Sequence, residues 1–372
     1  MSEFGVEIEP ESVTWISDSA TLAAHCQHWD DVIGLDTEFI RTDTFYPLPG
    51  LYQVIWCNQV YLLDPISIED FSAFVNVLEN AEVCKVMHAC QEDLELIHHH
   101  LGVNVANIFD TQLANAFVSV DFSLSYASLV EQVLGVSLDK HATRSNWLKR
   151  PLSDEQMRYA VEDVVYLPGL HNALVELLGE RAHWFAGEMA PRADYQPPSS
   201  DQYYLNVKKA WQLSGPQLSI LRSLCTWRED TAKSLNIPRN RVVWDDHLYH
   251  FARLQSLTSG DVRDALPRVV ANKYAQGLMD AHRDGLGGAV PPGLPGPLTS
   301  QQNAMVKRLR EAGRLKAADL GLAPELLSRK REVEACVRHY ATQGTMSDLF
   351  LGWRSEALHE VFNEIFQSHS AT

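Results

Sequence analysis

In its 372 residues the chain has no apolar run of 18 or more, so nothing in it is long enough to cross a bilayer as a helix. It has no CxxC pair. The six cysteines, at 26, 57, 84, 90, 225 and 336, stand apart, which argues against a zinc knuckle and a disulfide framework and for reduced thiols, each expected as a small buried apolar residue. The opening MSEFGVEIEPES is acidic and lacks the basic-then-apolar pattern of a secretory leader, so a cytoplasmic protein is expected. Positive charge is scarce in the front half: residues 1–206 hold 9 Lys/Arg against 31 Asp/Glu. A net charge of −17 would by itself speak against a polyanionic partner. The later segments differ, with 12 basic against 8 acidic residues over 207–284 and 10 against 9 over 298–372. This asymmetry hints at a metal-dependent catalytic part joined to a part that touches a polyanion.

Strand-like runs come early: SVTWIS, VIGLDTEFI, LYQVIWCNQVYLLD folded about a tight turn at Cys57-Asn58-Gln59, and CKVMH. Helical periodicity lies between and after them, near 18–30, 68–80, 91–101, 110–118, 125–134 and 154–178. A mixed sheet with helices on its faces is the natural product. Pro168-Gly169 should kink or end the last of these helices. At 190–204 Pro, Ser and Gln cluster as a linker, and GLGGAVPPGLPGPLTS forms a second break. The chain thus divides into an α/β domain over 1–195 and two small all-α domains over 207–286 and 297–372.

The strand VIGLDTEFI carries Asp36 and Glu38 two residues apart, on one face of a mostly apolar strand. Two like charges there repel and are poorly solvated unless a cation sits between them; hard oxygen ligands suit Mg²⁺ or Mn²⁺. A solvated edge strand is the alternative. Asp93 sits at the start of the 91–101 helix on the same side as Leu94, Ile97 and Leu101, where it either faces inward or caps the helix. Ser153 and Gln156 have capping-box spacing, so a helix begins there. On it Tyr159 and Asp163 share a face with Leu167, Leu170 and Leu174. His98-His99-His100 fan out over about 200° of a helix and cannot converge on one ion, so they read as surface.

Asp-x-Glu, a distant Asp and Tyr-x-x-x-Asp in this order resemble the DEDD exonucleases of the tyrosine type. LDTEFIRTDTFYPLPGLYQV, FDTQLANAF, YASLVEQVLGVSLDK and NWLKRPLSDEQMRYAVEDVVYL look like the ribonuclease D family, almost continuously over about residues 30–180. SGPQLSILRSLCTWREDTAKSLNIPRNRVVWDDHLYHFARL resembles the HRDC domain through Leu221, Leu224, Trp227, Arg228, Ala232, Pro238, Val242 and Leu248, and 298–370 looks like a second, more divergent copy.

The resemblance implies a ribonuclease H-like α/β exonuclease domain followed by two HRDC domains. It implies a 3′→5′ exoribonuclease that uses two divalent ions, Mg²⁺ or Mn²⁺, to release nucleoside 5′-monophosphates from RNA with a single-stranded 3′ end, such as tRNA precursors. By the same resemblance Asp36 bridges the ions. Glu38 and Asp163 hold the ion that binds the attacking water, and Asp93 helps hold the other, largely through water. Tyr159 orients the water and assists its deprotonation. Candidate substrate contacts are Thr37 and Phe39 beside the ligands and Lys140, Arg144, Trp147 and Arg150 in a basic loop that also holds His141 and Lys149. Lys208, Lys209, Arg222, Arg228, Lys233, Arg239 and Arg241 of the first helical domain offer further positive charge for phosphates or are simply its solvated face, and Trp147 is either a stacking surface or half-buried support. A monomer with no membrane partner is expected. The competing readings are a DNA 3′→5′ exonuclease and a non-catalytic RNA-binding protein.

Overall fold

Six strands form one mixed sheet: β1 (Val13–Ile16), β2 (Val32–Ile40), β3 (Leu48–Trp56), β4 (Gln59–Leu63), β5 (Cys84–Met87) and β6 (Ile108–Asp110), in spatial order β1-β4-β3-β2-β5-β6. The computed structural model describes residues 13–138 and 145–370. β4 runs parallel to β1 and antiparallel to β3, while β2, β5 and β6 are mutually parallel. The hairpin between β3 and β4 turns on Cys57 and Asn58, both at positive φ, and Gln59 already belongs to β4. Cys57 is therefore exposed, not buried as the composition suggested; Cys84 is half-buried and the other four are buried. All six are free thiols.

Helices α1 (Ser19–Cys26), α2 (Ser72–Glu79) and α3 (Gln91–Leu101) cover one face of the sheet. There Tyr52 packs against Phe71, Phe74 and His100, and Tyr61 against His25 and Trp29. The three histidines do fan out, but the ring of His100 is half-buried against Tyr52 and His98 bonds Asn104, so His99 alone of the three is exposed. After α4 (Thr111–Ala116) and α5 (Tyr126–Leu134), the opposite face is closed by α6 (Asp154–Val165) and α7 (Leu167–Leu178). The 154–178 periodicity splits at Tyr166 because Pro168 has no N–H to give, and α7 restarts with that proline in its first turn. β6 and helix α8 (Ala182–Ala193) escape the sequence reading. One is three residues long, and the other runs into the proline-rich stretch that looked like linker.

The chain forms two compact units, not three. The last segment, with α14 (Ser300–Leu320), α15 (Pro324–Ser328), α16 (Lys330–Gln343) and α17 (Trp353–Ser370), belongs to the same unit as the sheet. Trp353 packs on Phe117 and Trp184 at 5.2 and 5.7 Å between ring centroids, and Arg354 pairs with Glu188 of α8 at 2.8 Å. Backbone groups join as well: the Ala323 N–H donates to the Ala116 carbonyl at 2.9 Å. This interface makes the described residues from 298 onward part of the first core, where composition suggested a separate domain over 297–372.

The second unit comprises residues 41–48 and 196–297. Its long helices α9 (Gly215–Leu235) and α13 (Arg268–Gly287) pack together with the short α10 (Arg239–Val242), α11 (Asp245–Ala252) and α12 (Ser259–Ala265). Residues 41–48 join it through Asn236, whose side-chain oxygen accepts the Phe45 and Tyr46 N–H groups at 3.0 and 3.1 Å, and through an Arg241–Asp43 ion pair.

Within the first unit the fit of α7 to the sheet depends on Gly34. A Cβ at that position would lie 2.5 Å from the Ile55 Cγ2 and 3.0 Å from the Leu167 Cβ. Gly34→Ala is therefore expected to destabilise the protein by about 1–3 kcal/mol through overpacking. Urea unfolding of the variant beside the wild-type protein checks the outcome.

Candidate active site

The central strand β2 has neighbours on both sides, so its Asp36 and Glu38 are not edge residues. Across from them α6 delivers Asp163. Carboxylate oxygens of Asp36, Glu38 and Asp163 all lie within 4.8 Å of one another, and all three residues are half-buried. The capping box at Ser153 and Gln156 fixes the start of α6, as its spacing predicted. The end is pinned by the Tyr126 hydroxyl, which accepts the Tyr166 N–H at 3.2 Å. Tyr159, one turn before Asp163, hydrogen-bonds its carboxylate.

Asp93 is buried in the first turn of α3. It stands close enough to the other three to raise the pKa of Asp36 and Glu38, but outside the tight group of three. The Thr37 hydroxyl donates to it, so Thr37, on the opposite face of β2 from Asp36, holds a carboxylate. Asp110 is a residue the sequence reading passed over. Its carboxylate accepts from the N–H groups of Ala89, Cys90, Gln112 and Leu113, which caps α4 and fixes the turn that leads into α3. An Asp directly before the helical run TQLANA was an available N-cap signal.

Four like charges in one half-dry place cannot all persist. Burial, then the charges of Asp93, Asp163 and Glu38, push Asp36 well above the usual carboxylate range. Burial, then Asp163 and Asp93, push Glu38 up to about 9. Burial raises Asp163 to about 7 and Asp93 to about 6, against hydrogen bonds from Tyr159 and Thr37 that pull them back. Tyr159 is itself raised by burial and by the neighbouring carboxylates, so it is a neutral phenol here. Converging hard oxygens with no basic side chain among them fit a small divalent cation.

The proposed substrate contacts fare differently. Trp147 is 3% exposed, with its ring 6.1 Å from that of Tyr159, and offers no open face to a base. Arg150 is turned inward, bonded to Asp64 and the Gly50 carbonyl at 2.6 Å each and stacked over Trp15. Both support the site's walls; for Trp147 this is the support role the sequence left open beside stacking, and for Arg150 it replaces the expected substrate contact. Phe39 is half-buried against the core. Lys140, His141 and Arg144 lie outside the described residues. In the second unit Arg228 is 1% exposed and bonded to Glu229 and Asp245, Arg239 pairs with Glu229, and the two guanidiniums stack on Tyr203. Arg222 donates to the Ala289 carbonyl, and Lys233 to Ser200 and the Pro198 carbonyl. Lys208 and Lys209 remain exposed, as does Trp244 at 62%, an aromatic that sequence inspection had not singled out.

A family model described as a 3′-5′ exonuclease matches residues 13–179, and an HRDC domain model matches residues 217–281. Ribonuclease D of Pseudomonas paraeruginosa is 37% identical over 369 residues, covering 96% of this chain and 98% of that protein. Ribonuclease D of Haemophilus influenzae is 31% identical, covering 91% and 89% respectively. The crystal structure of Escherichia coli RNase D, described as an exoribonuclease involved in structured RNA processing, superposes with a TM-score of 0.88 at 27% identity, over 96% of this chain and 99% of that one. The catalytic core of RRP6 from Trypanosoma brucei shares the fold, with a TM-score of 0.56 at 21% identity, 75% of this chain and 80% of that one being covered.

The electrostatics of the cluster set a pH signature. Its carboxylates titrate higher in the folded protein than in the unfolded chain, so the metal-free fold binds the extra protons and gains stability from them at low pH. That contribution is lost as pH rises through about 6 to 9, the range of Asp93, Asp163 and Glu38. A divalent cation replaces those protons. The rise in Tm on adding Mg²⁺ is therefore expected to be larger at pH 8.5 than at pH 6, and Asp36→Asn should raise the Tm of metal-free protein at pH 8. Differential scanning fluorimetry with EDTA and with Mg²⁺ checks both; a Mg²⁺ shift independent of pH would contradict the coupling.

Proposed function

The chain belongs to the ribonuclease D family and is a 3′→5′ exoribonuclease, and on that premise we propose that it trims the single-stranded 3′ ends of structured RNAs, tRNA precursors among them, by two-ion hydrolysis at Asp36, Glu38, Asp93 and Asp163. The observation that carries this reading is the convergence of the Asp36, Glu38 and Asp163 oxygens within 4.8 Å beneath a tyrosine bonded to one of them.

In this reading Asp36, Glu38, Asp163 and Asp93 would together hold two divalent ions, Mg²⁺ or Mn²⁺. When bound, the ions activate a water and neutralise charge on the phosphate and the departing 3′-oxygen. The chain's own work is positional. The sheet sets the spacing of Asp36 and Glu38, and α6 sets Asp163 against them. Tyr159 donates its proton to Asp163 and presents the phenol oxygen as an acceptor to the attacking water. Thr37 keeps Asp93 turned toward the cluster. Each cycle removes one nucleoside 5′-monophosphate and leaves a new 3′-hydroxyl in the same place. For recruitment the exposed Lys208 and Lys209 supply phosphate contacts and Trp244 a face for stacking.

Asp36→Asn and Asp163→Asn are each expected to lower kcat by about a hundredfold or more, the loss that follows removal of one preorganised charge-stabilising group. Tyr159→Phe should lower kcat less and leave KM nearly unchanged. The measurement is release of mononucleotides from a 3′-tailed tRNA precursor and from matched single strands of RNA and DNA. A preference for DNA, or full Mg²⁺-dependent trimming by Asp36→Asn, would sink the proposal.

A further inference from the structure

Gln53, in the middle of β3, is fully buried, and neither its amide nitrogen nor its amide oxygen has a hydrogen-bond partner. Burying an amide with both ends unpaired is unfavourable, and a hydrophobic residue of the same size would fill the space without that cost. Its place in the sheet suggests what the amide is for. A Cβ on Gly34 would meet the Ile55 side chain, and a Cβ on Gly50 would lie 3.1 Å from the Glu38 carbonyl oxygen. Residue 34 therefore stands beside 55 and residue 38 beside 50, so β2 and β3 run antiparallel. Position 53 falls within one residue of Asp36 across the strand pair.

The face follows from the same contacts. Ile55 meets Gly34, so Ile55, Gln53 and Leu51 share the side of the sheet that carries Gly34, Asp36 and Glu38. Gln53 also pairs with Leu62 and, through it, with Trp15, over which the Arg150 guanidinium is stacked. That side is roofed by α6, which reaches both β2 and β4 and so crosses β3 between them. Trp147 lies beside the same helix, its ring 6.1 Å from that of Tyr159, and its indole N–H is also buried and unpaired. Two orphaned polar groups thus sit under the helix that holds Tyr159 and Asp163.

We propose that Gln53 is a positioning residue for the catalytic cluster: its amide N–H₂ donates to the Asp36 carboxylate in the cation-holding arrangement, turning one oxygen of Asp36 toward the ions, while its carbonyl end accepts from the Trp147 indole N–H. This inference rests on the metal-dependent reading of the site above. An outer hydrogen bond of this kind holds a ligand carboxylate in orientation, and its loss typically weakens metal affinity or activity 10- to 100-fold.

Three measurements on the full-length protein test it, with Gln53→Met as an unbranched apolar replacement. Calorimetric titration with Mn²⁺ should show affinity at least about tenfold weaker than wild type. kcat on a single-stranded RNA should fall with KM unchanged. Urea unfolding of the metal-free variant should show no loss of stability. A variant that is less stable yet binds Mn²⁺ and turns over like wild type would make Gln53 a structural residue and overturn the proposal. Should Gln53→Met fail to fold, the crystal structure of the wild-type protein with Mn²⁺ decides: an amide nitrogen within hydrogen-bond reach of Asp36 supports the assignment, and an amide without contact to Asp36 overturns it. Wild-type protein that binds no Mn²⁺ would overturn the metal reading and this inference with it, whereas wild-type binding matched by the variant overturns the inference alone.

Discussion

Mutual repulsion among Asp36, Glu38 and Asp163 is the constraint the rest of the structure answers to. Two unit charges at 4.8 Å repel by about 3.5 kcal/mol at an effective dielectric of about 20. Three such pairs would consume most of the net stability of an ordinary domain, which is about 5–15 kcal/mol. The protein avoids this without a cation by keeping protons on the carboxylates, which burial favours first and neighbouring charges reinforce, lifting Glu38 to about 9 and Asp163 to about 7. The same repulsion supplies the drive for cation binding, since a divalent ion turns each unfavourable pair into two favourable contacts.

Holding like charges together demands that the elements carrying them be fixed elsewhere. β2 is flanked by β3 and β5. α6 is clamped at its start by the Ser153–Gln156 box and at its end by Tyr126, while Leu167 seats against Gly34 just beyond it. The turn into α3 is fixed by the hydrogen bonds that Asp110 accepts from the Ala89 and Cys90 N–H groups. Each of these anchors removes one way for a carboxylate to swing out of the cluster. The wall that carries Trp147 and Arg150 does similar work, tying the chain just before α6 to Gly50 and Asp64 of the sheet.

What was legible in the sequence was periodic or local. The i, i+2 spacing of Asp36 and Glu38, the i, i+4 spacing of Tyr159 and Asp163 and the capping box at Ser153 are properties of a single element, and the structure keeps all three. Tertiary pairing was not legible. Arg150 and Arg228 read as free cations in a basic stretch, yet their partners Asp64 and Asp245 lie 86 and 17 residues away. The helices beyond residue 297 read as a domain because a Gly/Pro-rich stretch precedes them, while the surface that binds them to α4 and α8 is built from Phe117, Trp184 and Trp353 on separate segments. Gln53 left no trace at all: a lone glutamine in an apolar strand becomes conspicuous once its buried amide is seen to lack partners.

The fate of the arginines bears on how an acidic protein meets an acidic polymer. Charge counts along the chain treat every Lys and Arg as available, but availability depends on what each already holds. In the second unit Arg228 and Arg239 are spent on Glu229, Asp245 and the ring of Tyr203, and Arg241 on Asp43. The Arg228 and Arg239 pairs meet on the buried Glu229, and neither guanidinium can leave for a phosphate without abandoning a buried carboxylate, a change costing about 3–5 kcal/mol, whereas the Arg241–Asp43 pair is exposed. In the proposed function, attraction for RNA comes from exposed groups such as Lys208 and Lys209, whose contacts are screened by salt. Stacking on an exposed ring such as Trp244 is far less sensitive to ionic strength. In the proposed function the buried Arg228 and the paired Arg239 thus add little to long-range steering, and short-range contacts with the unpaired bases of a single-stranded end carry that much more of the binding.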